Sequence, residues 1–404
     1  MNKEELNLLA SLQNLKTIRL QAHRMLSLAR LDQAANFRVY EQRMPATVNY
    51  VVDVIYSQYP KLDIPYHSRW RHFEVGGIDR IKALQAQLSH LSSLDQGKIL
   101  YELVIISVLL DAGAGNRWHY QEASSGKFYS RSEGLALASL DLYLSGAFSA
   151  DAKQPLRVDA EALVEFNQAR LIKGFQISET NPLEGVEGRV DLLNRLGKVI
   201  AKDKRLGNFY TSILNLQSNG KIEVSKIFQA VLSTFRKIWP KRLCYKAINL
   251  GDVWTYPPLK LDEHLGSELI PFHKLSQWLT YSLIEPLELA GIKVTNLDEL
   301  TGLPEYRNGG LLVDMGVLEL KNPQIINSLQ EPGSELIVEW RALTVALLDE
   351  LADAIRLQLK MSAKELPLAK ILQGGTWEAG RQIAKEKRAD GRPPIQIISD
   401  GTIF

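Results

Sequence analysis

The sequence is poor in cysteine: Cys244 is the single one in 404 residues. That excludes an internal disulfide, a cysteine-based zinc site and an iron–sulfur cluster, and it points to the reducing cytoplasm. Long apolar runs are also missing. The most apolar stretch, Leu100–Leu110, is interrupted by Glu102 and Ser107. It falls well short of the roughly 20 residues that a membrane helix needs, so a buried helix is expected there. Residues 1–30 carry Lys3, Glu4, Glu5 and Lys16 among their leucines, the pattern of an amphipathic helix and not of a signal peptide. Charge of one sign is absent as well. Lys+Arg at 48 against Asp+Glu at 46 leaves +2, so nothing draws the whole surface to nucleic acid or an anionic membrane.

The common chemical signatures are lacking too. There is no Walker A loop, no Gly-x-Gly-x-x-Gly, no His-Glu-x-x-His and no nucleophile elbow. The seven histidines are scattered, and His67 and His72 are five apart, poor spacing for one helical face. No metal and no cofactor are expected.

What is present is an ordinary globular composition, 45% hydrophobic and 23% charged, with helical periodicity throughout. Leu6, Leu9, Leu12 and Leu15 recur at helical spacing. Ile81–Leu94 repeats the pattern, and Leu135–Leu144 follows Gly134. Leu336–Lys360 is the clearest case: Leu336, Trp340, Leu343, Leu347, Leu351 and Ile355 form one stripe, with Arg341, Asp349 and Asp353 off it. Strand alternation is scarce beyond a short candidate at Ile395–Ile398. The expected fold is therefore all-α or nearly so, with a few short strands at most. Residues 1–404 read as one globular unit, or as two lobes of about 1–240 and 241–404 with a seam near Pro240.

The residues that could carry chemistry concentrate between Gly251 and Arg341. Asp252 and Trp254 come first. Pro271–Leu283 follows; if it is helical, Lys274, Trp278 and Tyr281 share a face with Gln277 close by, and His273 precedes them. A lysine among aromatics is costly to desolvate unless paired; the alternative is a snorkelling stem with a solvated head. The turn Leu300–Gly310 then presents Glu305, Tyr306 and Arg307, either as functional groups or as a structural Glu–Arg pair. Glu339 and Arg341 lie in the long helix. Five of the seven tryptophans fall between Trp239 and Trp377, which suits either a bulky core or a flat-walled pocket.

These stretches resemble the uracil catabolism protein 4 family over nearly the whole chain. The resemblance rests on Leu110–Gly115, Arg131–Leu135, Pro271–Leu283, Leu303–Gly310, Glu335–Val345, Gly374–Trp377 and Ser399–Thr402 taken together. It implies a place in pyrimidine degradation, at or near the cleavage of ribosylurea into urea and a ribose unit. A more distant likeness is to the queuosine-salvage nucleosidases, helical proteins related in shape to DNA glycosylases. Lys274-Leu275-Ser276-Gln277 is similar to their Lys-Arg-Ala-Gln stretch, and Glu305-Tyr306-Arg307 to their Asp-Tyr-Arg. Val338-Glu339-Trp340-Arg341 is similar to their Val-Glu-Ile-Arg, and Trp118 stands where they have a tryptophan before an Ala-rich helix. Glu in place of Asp at 305 moves the carboxylate by about one methylene, and residues 151–236 match poorly.

The likeness implies an N-ribosyl hydrolase, whose transition state is oxocarbenium-like and needs a carboxylate near the sugar and a donor near the leaving nitrogen. Glu305 is then the catalytic carboxylate, and Lys274 positions it or contacts sugar hydroxyls. Asp252 and Glu339 are candidates for binding hydroxyls or acting as a second acid. Trp254, Trp278 and Tyr306 would wall the pocket, with His273, Gln277 and Trp118 as further binding candidates. Arg307 and Arg341 would either bind a phosphate or be structurally paired. The expected partner is a small ribosyl substrate, ribosylurea or its phosphate, with no nucleic acid and no membrane. Two other classes remain open. One is a non-catalytic binding partner of pyrimidine-catabolic enzymes. The other is a nucleic-acid glycosylase, which the near-zero net charge disfavours.

Overall fold

The computed structural model describes residues 1–115, 117–239 and 242–398. Helix dominates it. The described strands are two or three residues long and are hydrogen-bonded only in pairs, as a sequence without sustained alternation requires. The Ser399–Thr402 stretch and Pro240 lie outside the described residues.

Helix boundaries follow the caps. The amphipathic segment expected over residues 1–30 is two helices, Lys3–Ser11 and Leu15–Arg30. Asn2 and Glu5 form a capping box on the first, each side chain accepting from the other's backbone amide at 2.9 Å. Asn14 restarts the chain by accepting from the Lys16 amide at 2.9 Å. The periodic run Ile81–Leu94 is likewise broken. Arg80–Leu88 stops, and Ser92 caps Ser93–Leu109 by accepting from the Asp95 amide. The second of these is the buried helix expected around Leu100–Leu110. Its Glu102, fully buried, takes both branches of the Arg205 guanidinium at 2.8 and 2.9 Å and the Gly207 amide at 2.8 Å. An acid in an apolar helix is tolerable only with such partners.

The chain divides into two compact units. One comprises Met1–His67, residues 242–277 and Asn296–Ile398; the other comprises residues 68–239 and Trp278–Thr295. The chain thus passes between units after His67, Gln277 and Thr295 as well as in the region of the expected seam.

The first unit is built on the helix Glu335–Leu359, which packs against Leu15–Arg30 and Tyr306–Asp314. From Leu336 to Leu348 every residue of it is buried. Periodicity placed Arg341 off the apolar stripe, yet it is 2% exposed, so its charge needs an internal partner. Gly309 lets the neighbouring helix come close: a Cβ there would lie 2.8 Å from the Trp340 ring, whose Nε1 donates to the Gly309 carbonyl at 3.1 Å. Two antiparallel pairs, Val253–Thr255 with Leu269–Pro271 and Phe37–Val39 with Leu318–Leu320, flank this core. The candidate C-terminal strand is Gln396–Ile397, parallel to Leu329–Gln330. The second unit contains the buried helix Ser93–Leu109, the helices Arg131–Leu144 and Val186–Val199, and the hairpin His119–Gln121/Phe128–Ser130. Among the described residues no helix is long and apolar enough to cross a membrane.

His67 closes the first segment. Its backbone amide donates to the Ala369 carbonyl at 2.9 Å, and its Nδ1 lies 3.0 Å from Gln373 Oε1 in the π turn Leu372–Thr376. Burial pushes its pKa down to about 4, against a smaller opposing effect of Gln373. An unfolded histidine takes up its proton near pH 6.5, so between these values the unfolded chain holds one proton more than the folded one. Stability should therefore fall as pH drops through this window, by about 2–3 kcal/mol at pH 4.5. Urea titrations of wild type and His67→Asn at pH 7 and pH 4.5 should show a smaller loss in the variant. Equal losses would assign the acid sensitivity elsewhere.

Candidate functional site

Asp252 is placed by the short hairpin. It follows Gly251, whose φ of +75° makes the turn, and precedes the strand Val253–Thr255. Its carbonyl accepts from the Phe272 amide at 2.9 Å, just after the partner strand ends. His273 then turns the chain at φ +45° into the helix Lys274–Leu289. Non-glycine residues reach that conformation only when their surroundings hold them. Here the His273 ring, fully buried, lies 2.8 Å from the Leu12 carbonyl through Nε2. Burial lowers the pKa of this ring.

The Asp252 carboxylate takes four donors. Arg341 gives a two-branched contact at 2.8 and 2.8 Å, Trp254 Nε1 donates at 2.7 Å, and the Lys274 amide donates at 2.9 Å. Burial alone would raise its pKa. The Arg341 charge and these hydrogen bonds outweigh that and hold it well below the usual carboxylate range. The Arg341 guanidinium also sits 4.0 Å from the centre of the Phe272 ring. Asp252 thereby caps the helix that begins at Lys274, and Arg341 is its counter-ion. That occupies the acceptor capacity of one carboxylate, leaving Asp252 a positioning role.

Glu339 is also committed. Its two oxygens accept from the amides of Ala35, Asn36 and Phe37, from Asn36 Nδ2 and from the Tyr256 hydroxyl, at 2.7 to 3.1 Å. Burial raises its pKa, and these donors pull it back. It ties the segment 35–37 to the long helix. Gln277 is engaged in a similar way. Its Nε2 donates to the Phe272 carbonyl and to Thr301 Oγ1, and its Oε1 accepts from the Thr301 amide at 2.9 Å. That clamp fixes the start of the Lys274 helix to the turn before Pro304.

Glu305 is different. It is the N-cap of the helix Tyr306–Asp314 and accepts from the amides of Arg307 at 2.8 Å and Asn308 at 2.6 Å. It is 9% exposed. Burial raises its pKa, while the two amides and the charges of Lys274 and Arg307 oppose the rise. The ammonium of Lys274 thus acts electrostatically on a carboxylate that keeps about half of its acceptor sites. The Arg307 guanidinium turns away, donating to the Gly391 carbonyl at 3.3 Å and lying 5.1 Å from the centre of the Tyr306 ring. The link between Glu305 and Arg307 runs through the backbone amide. The structure therefore brings Asp252, Trp254, His273, Lys274, Gln277, Glu305, Tyr306, Arg307, Glu339 and Arg341 into one unit.

Trp118 and Trp278 belong to the other unit. Trp118 is a core residue, 1% exposed, with Nε1 on the Phe175 carbonyl at 2.9 Å. Trp278 Nε1 donates to Asp111 Oδ2 at 3.2 Å. Asp111 in turn pairs with Arg69 at 2.6 Å, and the fully buried Arg69 reaches Ser107 and the Ser132 carbonyl. Sequence pattern did not single out this second polar centre. Its signal was Asp111 heading the Gly113–Gly115 stretch. Arg189 supports that stretch by donating to the carbonyls of Leu110 at 3.2 Å and Gly113 at 3.0 Å. Asn308, also passed over, lies beside Glu305. Among the described residues no cluster of three or more His, Cys, Asp or Glu is arranged to hold a metal.

Comparison with known proteins places the chain. A family described as a protein of unknown function, DUF1688, matches residues 11–404. Protein urg3 of Schizosaccharomyces pombe is 40% identical over 403 residues, covering 98% of each chain. Uracil catabolism protein 4 of Lachancea kluyveri is 35% identical over 410 residues, covering 92% of this chain and 93% of the relative. The chain belongs to this family.

The Asp252–Arg341 pair is testable by stability. Arg341→Met leaves a buried carboxylate without its counter-ion and should cost about 3–5 kcal/mol. Adding Asp252→Asn should recover a large part of that loss, read by denaturant unfolding of the four proteins in a double-mutant cycle. Additive losses would mean that the two groups are not energetically coupled.

Proposed function

We propose, from the chain's place in the uracil catabolism protein 4 family, that it acts in pyrimidine catabolism as an N-ribosyl hydrolase. Its substrate would be ribosylurea, released as urea and a ribose unit. In this reaction water adds to the anomeric carbon, the carbon–nitrogen bond breaks, and the leaving nitrogen ends with the proton. Positive charge builds on the sugar before the water oxygen is bonded. A fixed anion beside that carbon is the largest single aid an enzyme can give.

The observation that carries the reading is Glu305. Of the three acids in the predicted set, Asp252 and Glu339 are saturated by donors from their own fold. Glu305 is held rigid by two amides and keeps acceptor capacity for a substrate hydroxyl or a water. Lys274 supplies the complementary charge. The Arg341 guanidinium is engaged by Asp252, and Arg307 is 4% exposed. Both arginines are tied into the fold by these contacts and by the Gly391 carbonyl.

Purified protein incubated with ribosylurea should release free ribose and urea, followed by NMR. Glu305→Gln should lose about a hundredfold or more in kcat, and Lys274→Ala should also fall. If Glu305 works as the anion, activity should rise with pH through an acidic limb whose midpoint lies above the ordinary glutamate value, because burial raises this group. A folded Glu305→Gln with near-wild-type turnover would remove the assignment. Binding of ribosylurea without release of products would favour the non-catalytic alternative.

A further inference from the structure

The N-terminal turn of the helix Tyr306–Asp314 contains a buried polar atom without a partner among the described residues. Asn308, the third residue of that helix, is fully buried. Its backbone amide donates to Glu305 Oε1 at 2.6 Å, and its side-chain Nδ2 reaches back to the Leu303 carbonyl at 3.2 Å. Leu303 O also accepts from the Glu305 amide at 2.9 Å. Asn308 therefore grips the Glu305 turn from both sides. Among the described residues its Oδ1 has no hydrogen-bond partner.

The orientation of that amide is set by chemistry. Exchanging the two side-chain atoms would point an oxygen at the Leu303 carbonyl, acceptor against acceptor, so the nitrogen belongs there and the oxygen faces the other way. A buried carbonyl oxygen without a donor is costly, and native folds keep such groups where something else supplies the hydrogen bond. The side chain stems from the same turn as the carboxylate, on a helix of nine residues. The missing partner is thus a donor, and the oxygen that lacks it belongs to the residue whose amide holds the Glu305 carboxylate.

We propose that Asn308 Oδ1 accepts a hydrogen bond from an N–H of the ligand, so that this turn selects an amide or ureido group on the sugar. The inference deepens the hydrolase reading and rests on it. Glu305 addresses the sugar, whereas Asn308 addresses the nitrogen side of the scissile bond. An O-riboside or a fully N-alkylated amide offers no donor to this oxygen, so the buried acceptor stays unpaired and the ligand is rejected.

The test compares ribosylurea with its fully N-methylated analogue in wild type, Asn308→Ala and Asn308→Asp. Wild type should prefer ribosylurea by tenfold or more in kcat/KM. Asn308→Ala should lose most of that preference, chiefly through weaker use of ribosylurea. Asn308→Asp retains an acceptor oxygen of the same shape. Burial beside Glu305 favours its protonated form, which can still donate to Leu303, so it should keep much of the preference. A merely structural role would lower both substrates together in Asn308→Ala and leave the ratio unchanged, and that result overturns the proposal. If wild type releases no product, the same ratio is read as Kd by ligand-observed NMR. A preserved binding preference that Asn308→Ala abolishes would support the inference while the hydrolase reading fails. Equal binding of both compounds would overturn it.

Discussion

The Asp252 carboxylate is the point on which the first unit turns. A charge removed from water must be compensated by partners in place, and this one is met by groups from three separate parts of the chain. Arg341 comes from the long helix, Trp254 from the hairpin and the Lys274 amide from the start of another helix. Because all four donors converge on two oxygens, the position of Lys274 is not adjustable independently of the hairpin or the long helix. The φ of +45° at His273 is the local cost of bringing that amide to the carboxylate, and the bond from its ring to Leu12 helps to hold it. A lysine that acts on Glu305 from a fixed helix start is a consequence of this arrangement.

The pattern of compensation separates the acids from one another. Asp252, Glu305 and Glu339 are similar in sequence terms, each an acid among apolar residues. Each is pushed upward in pKa by burial. What distinguishes them is where the compensation comes from. Asp252 has a cation in contact, and its net shift is downward. Glu339 has backbone amides, a side-chain amide and a phenol, all neutral, and its net shift is upward. Glu305 has two amides plus charges acting at longer range, and its shift is also upward. Only in the last case does incomplete coordination coincide with a place in the turn that the hydrolase reading needs.

Periodicity made the helices legible, and the caps corrected their ends. Leu336–Lys360 was readable because its stripe is long and continuous. The breaks at Leu12–Asn14 and at Ser89–Ser92 were written in Asn14 and Ser92, single capping residues that a periodic count steps over. Arg341 was legible as a charge open to structural pairing, but not as the partner of Asp252, which lies 89 residues away. Gln277 and Thr301 illustrate the same limit, since each is inconspicuous until the other is placed against it. Residues 274, 305 and 339 could be selected as chemistry-bearing from type and neighbourhood. Sorting them into anchors and available groups required counting donors around each oxygen, which is a property of the folded chain. Asn308 escaped notice because an asparagine in a Gly-rich turn usually needs no explanation beyond the turn itself.

Under the hydrolase reading, the two amides on Glu305 have opposite effects on its usefulness. Hydrogen bonds to a carboxylate stabilise its charged form and so reduce its basicity, which weakens it as a proton acceptor. They also remove the rotational freedom of the side chain, so the anion need not reorganise when charge grows on the sugar. Burial works against the first effect by raising the pKa and with the second by strengthening the field in a low-dielectric setting. A carboxylate held in this way is suited to stabilising a cation in place, because its orientation is fixed by the Arg307 and Asn308 amides. Lys274 fits the same scheme: its charge opposes the upward push of burial on the Glu305 pKa and so favours the anion that the lengthening carbon–nitrogen bond calls for.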